Sequence, residues 1–171
     1  MAIIPDTKDW TWVLTRPCPE CGFDASAFRR EALPTMLRAT ASAWVDVLTR
    51  PALTVRPNPQ TWSPLEYACH VRDTMGVFEA RLHLMLTEDN PNFPNWDQDQ
   101  TAVDGRYNEQ DPVEVSSTLI AVVESVAAGF EAVADDQWQR PAQRSDGAIF
   151  TVETLGRYLI HDPVHHLHDV G

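Results

Sequence analysis

The sequence predicts an all-α protein, a four-helix bundle preceded by an irregular N-terminal arm. Four segments repeat apolar residues at intervals of three and four, several of them begin at recognisable helix caps, and no segment shows a convincing strand pattern. The chain has 171 residues, which is enough to bury the core of one domain. We expect residues 1–24 to form the arm, which contains a C-x-x-C motif, and residues 25–171 to form the bundle.

The first two helices are separated by a proline-containing connection. Apolar residues recur every three or four positions until Arg50-Pro51 ends the first helix, and Pro34 favours a break near residues 30–34. The second helix begins at Ser63-Pro64-Leu65-Glu66, which combines a serine cap, a first-turn proline and a capping-box glutamate. It is expected to continue to about Thr87.

The last two helices follow a long connection. Asp111-Pro112 again joins a cap to a first-turn proline, and the third helix is expected to end near Asp135. The fourth begins near Thr151 and continues to the C-terminus. Residues 88–111 show no period, and connections of that length tend to be functional or disordered. Their aromatic residues favour an ordered loop.

The composition excludes several classes of partner. The formal net charge is −12 with a single lysine, so the chain lacks the basic surface that nucleic-acid binding needs. No apolar run is long enough to span a bilayer, and no basic start followed by an apolar segment marks a signal sequence. We therefore expect a cytoplasmic protein with neither a nucleic-acid nor a membrane partner.

The three cysteines include one closely spaced pair. Cys18 and Cys21 form the C-x-x-C motif, but no second such motif is present to complete a four-cysteine site. Three interpretations stay open: reduced thiols in an ordered loop, a reversible disulfide, or a metal position that uses ligands from distant parts of the chain. Because the arm precedes the bundle, we expect a metal bound in the bundle not to need this pair.

The clearest functional motif lies near the C-terminus, where four of the six histidines fall between His161 and His168. In a helix, His161 and His165 are one turn apart and share a face with His168. Two neutral imidazoles at that spacing can bind one zinc, nickel or related divalent ion. A third ligand must come from elsewhere, and His70 in the second helix is the best candidate. Pro163 lies between the pair, so we expect a kinked but continuous helix.

Two segments resemble the DinB-like family of four-helix bundles: Trp62-Ser-Pro-Leu-Glu-Tyr-Ala-Cys-His70-Val-Arg-Asp73 and Leu159-Ile-His161-Asp-Pro-Val-His165-His166-Leu. The resemblance spans about residues 25–170 and implies a bundle of DinB-like type. It also implies one divalent ion, zinc or nickel, bound by His70, His161 and His165 with a position open for water or substrate. Family members characterised as enzymes use low-molecular-weight thiols such as mycothiol, bacillithiol or glutathione.

The activity implied by the resemblance is that of a thiol S-transferase or isomerase whose partners are a small-molecule thiol and an electrophile; a homodimer is a further expectation. Three neutral imidazoles leave the ion its full charge, which lowers the pKa of a bound water or thiol. The alternative is a non-enzymatic metal-binding stress protein. A cavity lined by arginines beside an open position favours the enzyme, whereas a further protein ligand that closes the site favours the binding protein.

Other residues near these motifs have expected secondary roles. His168 is a candidate substitute for His165 or a hydrogen-bond partner, whereas His166 is expected to point elsewhere and to be structural. His83 is expected to be a solvated helix residue.

The other candidates are acids and tryptophans. Asp73 and Asp162 are candidates to orient the imidazoles. Asp97 and Asp99 are candidates to reach the open face of the ion, with solvated loop acids as the competing interpretation. Trp62 and Trp96 are expected to wall the pocket, with simple core packing as the competing interpretation.

Overall fold

The computed structural model describes Ile3 and residues 9–171, and these residues form the predicted helical bundle; the rest of the predicted arm, residues 1, 2 and 4–8, lies outside them. The described part contains five α-helices: α1, Leu33–Val47; α2, Pro64–Thr87; a short α3, Gln98–Asp104; α4, Pro112–Glu131; and α5, Val152–Asp169. Both α1 and α2 pack against α4 and α5. Large apolar side chains fill the core between them, including Trp44, Leu65, Met75, Leu119, Phe130 and Leu155.

The starts of the long helices follow the predicted local chemistry. The Ser63 hydroxyl accepts a hydrogen bond from the Glu66 N–H at 3.3 Å, and the Glu66 carboxylate accepts one from the Ser63 N–H at 2.8 Å. The Asp111 carboxylate accepts from the Val113 N–H at 2.7 Å. At α1, Pro34 lies in the first turn after a 3-10 turn over Arg30–Ala32, which agrees with the expected break.

The long connection is ordered and contains structure that the sequence pattern did not reveal. It carries α3 and the two-residue strand β1, Asn92–Phe93. This strand pairs in parallel with β2, Pro141–Arg144, which pairs antiparallel with β3, Ile149–Thr151. The expectation of no strands is wrong at these positions, because segments of two to four residues are too short to show an alternating pattern.

Helix α5 stays continuous through Pro163, as expected. The Trp44 indole N–H donates a hydrogen bond to the Pro163 carbonyl at 3.3 Å, so the core packs directly onto the turn that contains the proline. The C-terminal end of α5 is fixed by Arg50, whose guanidinium donates to the carbonyls of Val170 and Gly171, each at 3.0 Å.

The expectation that no apolar run is long enough to span a bilayer is wrong by length and composition, because one helix of the described chain, Pro112–Glu131, passes that test. Core helices of soluble proteins pass the same test. This helix is α4 of the bundle, and its buried positions, which include Val115, Leu119 and Val126, face α1 and α2.

The close approach of α5 to its neighbours generates a testable prediction. A Cβ atom at Gly156 would lie 2.5 Å from Leu33 Cδ2 and 3.2 Å from Phe130 Cε1, and both neighbours are buried. Gly156→Ala should therefore lower the free energy of unfolding by about 1–3 kcal/mol through overpacking. Gly76→Ala in α2 is the matched control: its Cβ meets nothing within 4 Å, so this change should stabilise by about 0.5–1 kcal/mol. Denaturant titration measures both, and equal effects would contradict the packing.

Candidate metal centre

Helix α5 presents a pair of buried histidines to the N-terminal arm. His161 and His165 are 4% and 6% exposed, and their ring centroids lie 5.0 Å apart. The arm covers them with Trp10, whose ring centroid is 5.6 Å from that of His161 and 5.0 Å from that of His165. The helical spacing expected from the sequence thus puts both imidazoles on one buried face.

The two cysteines of the arm lie directly against this pair. Cys18 Sγ is 3.6 Å from His165 Nδ1, and Cys21 Sγ is 3.8 Å from His161 Nε2. One ligand atom from each of the four residues lies within 4.8 Å of all the others. No disulfide joins the cysteines, which are both free thiols. The sequence placed this motif apart from the bundle site, whereas the structure brings the two together.

The surroundings set the protonation of the pair. Burial, and after it the neighbouring charge of His165, lower the pKa of His161 to about 4. Burial also lowers the pKa of His165, and burial raises the pKa of the Cys21 thiol. Both imidazoles are therefore neutral near pH 7, which is the state that binds metal ions.

His70 belongs to a second, adjacent group. Its Nε2 lies 3.2 Å from Asp162 Oδ2, and ligand atoms of His70, Asp162 and His166 lie within 4.8 Å of one another. Trp96 stacks on the His70 ring at a centroid distance of 5.4 Å, and Trp62 lies on it at 5.1 Å. The three predicted ligands therefore fall into two neighbouring groups, and their joint binding of one ion stays a prediction.

The Asp162 carboxylate determines the tautomer of His70. Burial raises the pKa of Asp162, but His70 and His166 lower it more, to about 2, so the carboxylate is ionised and can only accept hydrogen bonds. His70 Nε2 must then carry the proton. Its other nitrogen, Nδ1, is buried without a hydrogen-bond partner in the described part of the chain.

A cavity of about 660 Å³ opens beside both groups. His161 and His165 line it together with Asp162 and His166, so an ion at the histidine pair would face the cavity. Other lining residues come from α2, from the long connection, from the small sheet and from α5 itself; they include Thr74, Phe78, Arg81, Asn95, Trp96, Arg144 and Tyr158. This volume is within the range of pockets that bind small molecules.

Arg81 places a positive charge in the wall of this cavity. It is 6% exposed, it donates to the Pro94 carbonyl at 3.2 Å, and its guanidinium lies over the rings of Phe78 and Phe93. Among the described residues no carboxylate forms an ion pair with it. Burial, and after it the charge of Arg144, lower the pKa of Arg81 to about 10. Arg144 itself is paired with Asp146 at 2.8 Å. A buried charge without a partner is costly, so Arg81 is suited to an acidic ligand.

The remaining sequence-predicted residues are distributed as follows. Asp73 accepts from the Tyr107 hydroxyl at 2.5 Å and does not orient a histidine in this structure. Asp97 caps α3 by accepting from the Gln100 N–H at 2.9 Å, although it also lines the cavity with Asp99. His168 and His83 are exposed.

His166 does not share the face of the metal pair, as expected, but it lines the cavity and packs against His70 at a centroid distance of 4.9 Å. Arg81, Arg144 and Tyr158 were missed as site residues. Nothing in the sequence distinguishes an arginine in a cavity wall from one on a solvated helix face.

A helical bundle with paired histidines on its last long helix, facing an internal cavity, defines a class of proteins built to hold a metal ion between helices. Within that class the chain belongs to the DinB superfamily, whose family model matches residues 35–170. The arm with Cys18 and Cys21 lies outside the matched region.

The fold is similar to that of YfiT from Bacillus subtilis, described as a probable metal-dependent hydrolase with an unusual four-helix bundle topology. The TM-score is 0.74 at 20% sequence identity, and the match covers 81% of this chain and 82% of that chain. No curated protein matches the sequence.

The depressed pKa of His161 predicts a pH dependence for the metal-free protein. The unfolded chain binds a proton on this ring more readily than the native state does, with pKa values of 6.5 and about 4. The free energy of unfolding should therefore fall as the pH drops from 6.5 to 4, with His161 contributing on the order of 3 kcal/mol. Denaturant titration at both pH values should show a smaller fall in His161→Asn. His83 is exposed, so His83→Asn is the control and should show the same fall in the free energy of unfolding as the wild type. Equal falls in wild type and His161→Asn would contradict the prediction.

Proposed function

We propose that the protein is a divalent-metal-dependent enzyme that uses a low-molecular-weight thiol of the mycothiol type, as an S-transferase or isomerase. The observation that carries the proposal is the shared cavity. His161 and His165, which would hold the ion, and Arg81, which would bind an acidic group, line the same space. An arginine in the wall of a cavity beside an open metal position favours an enzyme over a binding protein.

The histidine pair fits a divalent ion of the zinc or nickel type. Both imidazoles are buried and neutral near pH 7, and their helical spacing lets both nitrogens reach one ion. The description of YfiT as metal-dependent supports the same assignment. In the enzyme proposal His70 is the third ligand, as the DinB resemblance implies, and its ring would have to leave the Asp162 group to reach the pair.

A bound ion of this kind holds a thiol as its more nucleophilic thiolate at neutral pH. The residues of this chain do the rest. Arg81 binds an acidic group of the thiol or of the electrophile by charge-assisted hydrogen bonds. Phe78 and Trp96 supply apolar wall that limits water in the cavity. The partners are thus a small-molecule thiol and an electrophile; a homodimer and a cytoplasmic location stay predictions.

A second function is favoured by one specific observation. Cys18 and Cys21 lie close enough to the histidine pair to fill the coordination positions that a thiol substrate would use. A site closed by four protein ligands is typical of structural zinc. The protein would then bind a metal ion for stability, storage or sensing without catalysis.

The first experiment separates these functions. Zinc- or nickel-loaded protein is assayed with mycothiol, bacillithiol and glutathione against a generic electrophile. The proposal predicts thiol-dependent turnover that a chelator abolishes and added metal restores, and a thiol-dependent change in the visible spectrum of the cobalt-substituted protein. Turnover without any thiol would instead indicate hydrolysis by metal-bound water. No turnover and no spectral response to any of the three thiols would favour the metal-binding protein.

A second experiment tests the role of Arg81. Arg81→Gln removes a charge-assisted interaction worth about 1.5–3 kcal/mol, so KM for an acidic substrate should rise roughly 10- to 150-fold. Arg81→Lys keeps the charge, so KM should rise less than in Arg81→Gln. The control is Arg38→Gln, since Arg38 pairs with Glu124 and Glu131 on the outside of the bundle. An unchanged KM in Arg81→Gln, with metal content retained, would exclude Arg81 from substrate binding.

A further inference from the structure

We infer that Cys18, Cys21, His161 and His165 bind one zinc ion as a four-ligand site, so that the metal joins the N-terminal arm to the last helix. A site closed by these four side chains leaves no coordination position for a thiol, so it supports the second function, metal binding without catalysis, whereas the enzyme would hold the ion with His70 instead of the cysteines. The ligand set that the DinB resemblance implies adds His70 to His161 and His165, whereas the set inferred here adds Cys18 and Cys21 to the same pair. A single ion bound to that pair uses one set or the other.

The two sulfur–nitrogen distances match a tetrahedral zinc site. With zinc about 2.3 Å from sulfur and about 2.0–2.1 Å from nitrogen, tetrahedral angles put sulfur and nitrogen about 3.6 Å apart. The two sulfur–nitrogen distances in the structure are 3.6 Å for Cys18 and His165 and 3.8 Å for Cys21 and His161. Two thiolates with two imidazoles are also a donor set typical of tetrahedral zinc sites.

Two separate thiol–imidazole hydrogen bonds do not account for the arrangement as a whole. Each such bond joins one cysteine to one histidine, and it does not require the two cysteine–histidine pairs to lie close together. Instead all four ligand atoms lie within 4.8 Å of one another. Three of the four residues are buried, and Cys21 is half-buried. The four side chains thus converge on one point at the junction of the arm and α5.

The backbone of the arm directs both thiols toward that point. The Gly22 N–H donates to the Cys18 carbonyl at 2.9 Å, and the Cys18 N–H donates to the Phe23 carbonyl at 2.9 Å. Gly22 adopts a φ of +76°, in the left-handed region that glycine occupies without strain. The tight turn closed by these bonds holds the sulfurs of Cys18 and Cys21 on the same side.

Acidic residues face the far side of the His165 ring. When Nδ1 of His165 faces the ion, its Nε2 lies 3.6 Å from a Glu20 carboxylate oxygen and 3.8 Å from one of Asp169. Carboxylates behind a metal-bound imidazole favour the tautomer that leaves the other nitrogen free to coordinate. Glu20 stands between the two cysteines in sequence, so the arm supplies this support together with its two thiols.

The test uses zinc content and the cobalt spectrum, which do not depend on catalysis. Wild-type protein should hold about one zinc per chain. In a Cys18→Ser, Cys21→Ser double variant the zinc content per chain should be lower by roughly tenfold or more. Cys69→Ser is the matched control, because Cys69 is buried in α2 near the Tyr107 carbonyl, and this variant should keep its zinc. His70→Ala should also keep it. Cobalt-substituted wild type should show a sulfur-to-cobalt charge-transfer band that the double variant lacks.

Two results would overturn the inference: undiminished zinc in the double cysteine variant, or zinc lost from His70→Ala. If the double variant does not fold, as circular dichroism would show, X-ray absorption of the wild-type zinc protein decides. Two sulfur and two nitrogen neighbours support the site, and a shell of nitrogen and oxygen alone refutes it. Failure of the thiol assay leaves these readouts unchanged, so the two proposals fail separately.

Discussion

The whole site depends on α5 remaining helical through Pro163. Proline removes one backbone donor from the helix and usually bends it, yet His161 and His165 share a face only if the turn between them is preserved. The structure supports this turn from outside the helix. The Trp44 indole bonds to the Pro163 carbonyl, and the buried residues of α5 pack on both α1 and α2. Tertiary packing here outweighs a local tendency to break.

The sequence was sufficient to predict those features that are determined by interactions within a few residues. Caps and first-turn prolines locate the starts of α2 and α4, because they satisfy backbone groups within one turn. Helical periodicity likewise put His161 and His165 on one face. The short strands and α3 escaped prediction, since elements of two to seven residues carry too little period to be recognised.

The composition of the candidate site was harder to predict, for a physical reason. Cys18 and His165 are separated by 147 positions, and Cys21 and His161 by 140, so no local rule joins them. Their contact depends on where the arm packs, and that depends on Trp10 and on the surface of the folded bundle. Arg81 presents the same difficulty: its position in helix α2 is visible in the sequence, but the cavity beside it exists only once α2, α5 and the long connection have assembled.

The arrangement of α5 means that one segment of six residues serves two neighbouring groups. His161 and His165 face the cysteines of the arm, while Asp162 and His166, rotated by about 100° around the same axis, face His70. Because both pairs are fixed to one helix, a rotation of α5 about its axis would move the ligands of both groups together. Helix α5 thus links the position of the arm to that of the His70 group, since it carries ligands of both.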